Sequence, residues 1–332
     1  MSLLELVDLH TYFQTKRGVV KAVNGVSYAV EAGKTLGVVG ESGSGKSVSA
    51  MSILRLLDGN GYIHSGKILF EGRDLTKIPV NEMYALRGNE ISVIFQEPMT
   101  SLNPVFTIQR QLQEVYRTHQ RVSKKTAEEK ALQILQDVRI PNPETVLRQY
   151  PHQLSGGMRQ RIMIAMALAC EPRVLIADEP TTALDVTIQA QILKLMRDLQ
   201  TQRGTAILFI THDLGVIREM ADSVAVMYCG EVVEMAPVAK IFGHRAVSHP
   251  YTEGLLESIP RLDTEPGVRL EAIPGSVPHP LNLPKGCKFA PRCKFATPFC
   301  RDREPALEEV APGHYVRCLY PDTEKRRREI KA

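Results

Sequence analysis

Apolar and polar positions follow two different periods along this chain. Near its start, Leu4-Glu5-Leu6-Val7-Asp8-Leu9 and Ala22-Val23-Asn24-Gly25-Val26-Ser27-Tyr28-Ala29-Val30 alternate with period two around the turn-like Thr15-Lys16-Arg17-Gly18, the pattern of an antiparallel sheet. Later runs are short and mostly apolar: Thr35-Leu36-Gly37-Val38-Val39, Gly66-Lys67-Ile68-Leu69-Phe70, Ile91-Ser92-Val93-Ile94-Phe95, Val174-Leu175-Ile176-Ala177 and Thr205-Ala206-Ile207-Leu208-Phe209-Ile210. Runs without polar alternation read as strands covered on both faces. Helical spacing appears from Val48 to Leu57 and from Ile108 to Ile140, where Lys124-Lys125-Thr126-Ala127-Glu128-Glu129-Lys130 opens an amphipathic stretch and Pro141 to Pro143 closes it. It returns through Met163, Met166 and Leu168. Strands alternating with helices predict an α/β fold, with an antiparallel β region near the start and an all-helical insertion. From about Thr264 to Pro321 proline and charge replace periodic apolar runs, which predicts a region unable to order itself by burial alone.

The strands deliver chemistry at their carboxyl ends. After Val39 runs Gly40-Glu41-Ser42-Gly43-Ser44-Gly45-Lys46-Ser47, which fits the phosphate-binding pattern G-x-x-x-x-G-K-[ST] between a strand and a helix. Its glycines let backbone N–H groups close around phosphates, Lys46 supplies a mobile positive charge, and Ser47 offers a hydroxyl to Mg²⁺ at the positive end of the helix. Gln96 leaves a strand where a polar side chain can meet a ligand. Asp178 and Glu179 follow Ala177; Asp178 is placed to hold Mg²⁺, and Glu179, turned the other way by the strand's period of two, to accept a proton from attacking water. His212 follows the last strand. Ser155-Gly156-Gly157 opens a helix with two costly glycines, which suits a backbone that must bind something. Tyr12-Phe13 is either core or a platform for a nucleotide base.

Composition changes little in this picture and the cysteines change more. The formal net charge of +4 is too slight to imply nucleic acid, and Lys325-Arg326-Arg327-Arg328 with Lys331 reads as a solvated basic tail. No apolar run reaches membrane-spanning length, and Met1-Ser2-Leu3-Leu4-Glu5 lacks the marks of a secretion signal, so a soluble, cytoplasmic chain is expected. Of six cysteines, Cys170 and Cys229 read as plain buried residues. Cys287, Cys293, Cys300 and Cys318 cluster with spacing C-x5-C-x6-C-x17-C, which suits zinc and an iron–sulfur cluster equally and leaves four free thiols as the plain alternative. His314 is not needed as a ligand and reads as a surface residue.

The ordered set Gly40 to Ser47, Gln96, Leu154-Ser155-Gly156-Gly157-Met158, Asp178-Glu179, Ala183-Leu184-Asp185 and His212 resembles the ATP-hydrolysing subunit of ABC transporters over about residues 3 to 240. The tail, with His249-Pro250-Tyr251-Thr252-Glu253-Gly254-Leu255-Leu256, Ile259-Pro260, Gly286-Cys287 and Pro291-Arg292-Cys293, looks like that of the oligopeptide and dipeptide importers, whose close relatives import nickel. Met158 stands where glutamine is commoner, a variation typical of the peptide branch.

The resemblance implies a P-loop ATPase core over 1–245, with an antiparallel β subdomain and a helical subdomain at about 97–165, and a cysteine-rich extension over 246–332. It implies ATP and Mg²⁺ as cofactors, bound by Gly40, Glu41, Ser42, Gly43, Ser44, Gly45, Lys46 and Ser47, with Phe13, or its neighbour Tyr12, stacking on the base. Glu179, Lys46, His212 and Gln96 carry hydrolysis, and Ser47, Gln96 and Asp178 meet Mg²⁺. Two copies, or this chain and a related subunit, sandwich ATP head to tail, so Ser155, Gly156, Gly157 and Asp185 act across the dimer. Two transmembrane permeases and an external solute-binding protein complete an importer at the cytoplasmic membrane face, with no nucleic acid. A [4Fe–4S] cluster is implied on Cys287, Cys293, Cys300 and Cys318, with zinc as the alternative. The rival readings are an importer of nickel or another small solute, and a soluble ATPase of the same core acting on nucleic acid or ribosomes.

Overall fold

A computed structural model describes residues 2–96, 101–182, 184–243, 246–259, 272–324 and 326. Ala183 of the Ala183-Leu184-Asp185 motif, Pro260, the stretch before residue 272, and Lys325, Arg327, Arg328 and Lys331 of the basic tail lie outside the described residues. The described strands are β1 (Ser2–Thr15), β2 (Gly18–Glu31), β3 (Thr35–Val39), β4 (Gly61–Phe70), β5 (Arg73–Asp74), β6 (Ile91–Ile94), β7 (Val174–Asp178), β8 (Ala206–Thr211), β9 (Ser223–Tyr228), β10 (Glu231–Pro237), β11 (Glu308–Ala311) and β12 (His314–Val316). They fall in two compact units that do not follow chain order: Met1–Leu4, Val30–Lys34 and Lys77–Ile210 form one, and Glu5–Ala29, Thr35–Thr76 and Thr211–Ala332 the other.

The unit built on Lys77–Ile210 holds the parallel strands β6, β7 and β8 in register, with Ile91 beside Val174 and Val174 beside Ala206. Every residue of β7 and β8 is buried, as runs without polar alternation require. The helices Ile108–Gln120, Lys124–Asp137 and Pro143–Arg148 pack on one another, the helical insertion expected from the spacing. Thr107 and Ser123 accept from Arg110 N and Thr126 N to cap the first two, replacing partners that a helix start lacks. Arg203 ties this layer together, donating to Asp137 Oδ2 at 3.1 Å and to the Leu168 carbonyl at 3.1 Å.

The second unit contains a sheet of order β2–β1–β4–β5, with β1 and β2 joined through Lys16-Arg17, and the strand order β11–β12–β10–β9–β3. Only β3 and β9 run parallel there; β9, β10, β12 and β11 are antiparallel in turn. The carboxyl-terminal region is therefore not a loose appendage, because β12 adds to β10 with Glu234 opposite Val316. Two expectations are corrected at this point. His314 is buried, and its Nε2 lies 2.8 Å from Glu234 Oε1; alternation in the short strand β12 turns it inward, which a three-residue strand between loops hides from the sequence. Arg326 is not part of a solvated tail, since it is buried against Glu253 and donates to the carbonyls of Ser248 and Tyr320 at 3.0 Å each.

Removing one partner of a buried, hydrogen-bonded ion pair leaves the other desolvated and uncompensated. Arg326→Met is therefore expected to lower unfolding free energy by about 3 kcal/mol or more, read by urea denaturation at neutral pH. A loss below about 1 kcal/mol, the range of exposed pairs, would contradict the buried-pair account.

Candidate functional site

The phosphate-loop motif forms a tight turn between β3 and the helix Lys46–Ile53. Its glycines are required by space as well as by conformation. A Cβ on Gly40 (φ +154°) would stand 2.2 Å from the Met227 carbonyl oxygen, and one on Gly45 (φ +98°) 2.3 Å from that of Ala22, contacts that no side chain survives. Lys46 is buried and donates to the carbonyls of Gly40 at 2.8 Å and Glu41 at 3.1 Å. The cation is thus seated in the loop, where the sequence suggested a mobile one, and its bonds to neutral carbonyls can be exchanged for stronger, charge-assisted bonds to an anion. Ser47 follows at the helix start, half-buried.

A cavity of about 510 Å³ opens beside the loop, lined by Ser42, Gly43, Gly45, Val48, Phe13 and residues of the stretch 277–283. The two aromatic candidates separate here. Phe13 lines the cavity, whereas Tyr12 is buried, donates to Asn24 Oδ1 at 3.3 Å and stacks on His64 with centroids 4.6 Å apart. Neighbours in a strand face opposite ways.

In the other unit, Gln96 Nε2 and Thr182 Oγ1 donate to the same carboxylate oxygen of Glu179, at 3.2 and 2.9 Å. Sequence reasoning paired Gln96 with this region but missed Thr182, which two alternating strand ends gave no reason to single out. Asp178 is the buried last residue of β7. Glu179 does not turn away by strand alternation: it lies beyond the strand with φ +47° and donates its N–H to the Ile210 carbonyl at 2.9 Å. A non-glycine residue in the left-handed region is strained, and such strain clusters at functional sites. His212 follows β8 and is exposed, while Asp213 caps the next helix through Gly215 N and Val216 N.

Ser155 caps the helix Gly156–Leu168, accepting from Met158 N at 3.3 Å. A Cβ on Gly156 would meet nothing within 4 Å, but one on Gly157 would press Ile188 Cγ2 at 3.1 Å. These residues line a cavity of about 470 Å³ with Asp185, Arg139 and Arg161. The Arg161 guanidinium is held below its ordinary range by burial and then by Arg139, so a helix start and two cations face one space, which favours an anion.

The four clustered cysteines also meet. Cys287, Cys293, Cys300 and Cys318 line one cavity with Phe289, Phe295 and Arg326. Donors are aimed at three of the sulfurs: backbone N–H groups of Phe289 and Ala290 at Cys287, of Phe295 at Cys293, and of Tyr320 at Cys318 at 3.4 Å; Cys300 Sγ shares a hydrogen bond with Thr297 Oγ1 at 3.4 Å in which either atom can donate. Burial pushes the thiols of Cys293 and Cys318 up to about 12 and about 11. Among the described residues no group of three or more His, Cys, Asp or Glu is arranged to hold a metal ion. Cys170 and Cys229 are buried singly, as expected.

Comparison with known proteins agrees with this geometry. Residues 23–182 match the family described as "ABC transporter", and residues 233–300 match "Oligopeptide/dipeptide transporter, C-terminal region". The oligopeptide transport ATP-binding protein AppD of Bacillus subtilis is 53% identical over 324 residues, 97% of this chain and 98% of the relative. OppD of Salmonella typhimurium is 49% identical over 319 residues, 96% and 94%. Among solved structures, the dimeric ATP-binding cassette MJ0796 bound to ADP and Pi superposes with TM-score 0.64 and 25% identity over 71% of this chain and 98% of that one.

One contact at the loop was not anticipated. Arg292, named in sequence only as a neighbour of Cys293, is buried and donates from Nη1 and Nη2 to Glu41 at 2.6 and 2.9 Å, while Glu41 N donates to Tyr251 Oη at 2.8 Å. The expectation that the cysteine-bearing stretch is separate from the phosphate loop is therefore not met. A bidentate pair fixes orientation as well as charge, so Arg292→Ala is expected to weaken nucleoside triphosphate binding about tenfold, with Arg292→Lys recovering only part. Calorimetric titration in a double-mutant cycle with Glu41→Gln checks this; additivity within about 0.5 kcal/mol would show that the pair does not shape the loop.

Proposed function

We propose a function from membership, since this chain belongs to the family of ATP-binding subunits of ABC transporters, in the branch carrying the oligopeptide/dipeptide carboxyl-terminal region. It hydrolyses ATP to power import of di- or oligopeptides through two membrane permeases supplied by an external binding protein. The observation that carries this reading is a glycine-built phosphate loop with Lys46 seated in it, in a chain whose tail matches the peptide-importer region. Among the described residues no helix is long and apolar enough to cross a membrane. In this reading, as membership of the importer branch implies, the permeases supply the path and this subunit works at the cytoplasmic face. Residues 1–245 act as the ATPase core and 246–332 as its extension.

In this reading the loop from Gly40 to Ser47 binds the phosphates and Phe13 stacks on the base. Ser47 and Asp178 hold Mg²⁺, with Gln96 at the same centre, and the metal neutralises charge on the phosphates when bound. Glu179, steadied on one oxygen by Gln96 and Thr182, orients the attacking water and takes its proton; His212 meets the γ-phosphate. Ser155 to Gly157 and Asp185 belong to the surface that receives a second subunit's ATP, for which Arg139 and Arg161 give the favourable charge. Glu179→Gln keeps the shape and removes the base, so ATP should bind while hydrolysis falls by about 10²-fold or more. Turnover of phosphate near that of the unaltered chain would refute the assignment.

Cys287, Cys293, Cys300 and Cys318 hold a [4Fe–4S] cluster in this proposal. The donor set fits: four sulfurs line one largely apolar cavity, and those of Cys287, Cys293 and Cys318 accept from backbone N–H groups that favour a thiolate. Four thiolates suit zinc as well, and the choice of a cluster rests on the resemblance to the peptide-importer branch. The four cysteines would hold such a group as thiolates, and it would supply cross-links in place of their protons. Protein purified without oxygen is expected to contain iron and acid-labile sulfide, both lost in Cys318→Ser. One zinc per chain without iron would reject the cluster and keep the site, and freely alkylated thiols with neither would reject both.

A further inference from the structure

The cavity beside the phosphate loop has a wall that the ATPase reading does not use. Phe13 and Val48 form one part of it, and Val277, Pro278, His279 and Pro280 another. Its volume of about 510 Å³ lies within the range of sites that enclose a small ligand, and the loop glycines at its margin place any base attached to bound phosphates in this space. Phe13 is fixed there by a close approach, since a Cβ on Gly61 would stand 2.7 Å from its Cε1.

The opposing segment is anchored as well. Arg292 Nε donates to the Pro274 carbonyl at 3.0 Å on one side of it, and Lys288 Nζ to the Pro284 carbonyl at 3.1 Å on the other. Within it, Leu281 N donates to His279 Nδ1 at 3.2 Å and Asn282 N to the His279 carbonyl at 2.8 Å. A ring nitrogen that accepts carries no proton, so the His279 proton sits on Nε2, which is a donor. Adenine offers ring nitrogens and ribose offers hydroxyls as acceptors, and a flat apolar face satisfies the base itself.

We propose that Val277–Pro280 is the second wall of the nucleobase site, packing on the base opposite Phe13, with His279 donating from Nε2 to the adenine ring or its ribose. The carboxyl-terminal extension thereby contributes directly to nucleotide affinity. This rests on the reading of the chain as an ATPase, and inorganic tripolyphosphate, which has phosphates but no base, separates the two.

The test measures binding of ATP and of tripolyphosphate, each with Mg²⁺, to the full chain by calorimetry, for the unaltered protein, His279→Ala and the double variant Pro278→Gly/His279→Ala. The expected result is ATP affinity lowered about tenfold in the double variant with tripolyphosphate affinity unchanged, which also shows that the variant is folded. Photolabelling with 8-azido-ATP should then place label on the peptide containing His279. Unchanged ATP affinity in the double variant would overturn the proposal, and so would an equal loss for both compounds, which would mean that the segment acts through the loop. If the unaltered chain bound neither compound, the nucleotide reading would fail and this proposal with it.

Discussion

The phosphate loop is possible only because two backbone carbonyls come close enough to exclude any side chain. Ala22, from β2, and Met227, from β9, approach the places where Cβ atoms of Gly45 and Gly40 would stand. Both the β-rich start of the chain and the later sheet must therefore be in place before the loop has its shape. This explains why Glu5–Ala29, Thr35–Thr76 and Thr211–Ala332 form one compact unit although they lie far apart in sequence. A loop whose N–H groups must converge on an anion cannot also spend them on a regular ladder, so its conformation has to come from outside.

Arg292 and Tyr251 complete that outside support, and they bring the extension into it. A guanidinium held by two bonds to Glu41 and a phenol accepting from the Glu41 N–H fix the loop's first turn at the position where its sequence pattern allows any residue. Tyr251, Tyr228 and Phe289 pack with centroids 4.7 to 5.4 Å apart, which buries the guanidinium end of the pair while Glu41 stays partly exposed. Because Arg292 precedes Cys293, order at the cysteine cavity and order at the loop are linked by one peptide bond. Linkage of this kind is reciprocal: whatever stabilises one end stabilises the other.

Much of this was legible in the sequence where a motif and a period coincided. The strand and helix that flank Gly40 to Ser47 were legible because an apolar run, a glycine loop and helical spacing occur in order, and β7 and β8 because wholly apolar runs have few other fates. Glu179 was found through its neighbour but its backbone was not, since a left-handed glutamate carries no mark in composition. Phe13 was preferred to its neighbour Tyr12 only on resemblance until the strand set the two on opposite faces. Arg292 was missed because its partner Glu41 lies 251 positions away in sequence, and the 277–283 segment because prolines and a lone histidine give no periodic signal; Thr182 was missed although Glu179 is three residues away, because a threonine just past a strand end carries no mark of its own.

The extension shows how a stretch poor in apolar periodicity can still be ordered. Three carboxylates from residues 231 to 253 each meet a basic side chain from residues 314 to 326: Glu231 faces Arg317 at 4.0 Å, Glu234 faces His314 at 2.8 Å, and Glu253 faces Arg326. All three acids are buried, and burial raises Glu231 above the ordinary carboxylate range even with Arg317 opposing it. Pairs of this kind contribute little net stability over an apolar core of the same shape, but a shifted register would strand charges without partners, at several kcal/mol each. They therefore act on which structure forms more than on how stable it is. Antiparallel pairing of β12 with β10 brings His314 to Glu234 and Arg317 to the Val233 carbonyl at 2.8 Å. A one-residue slip would turn His314 outward and leave Glu234 alone. The four cysteines that line one cavity thus lie between elements already registered by these pairs.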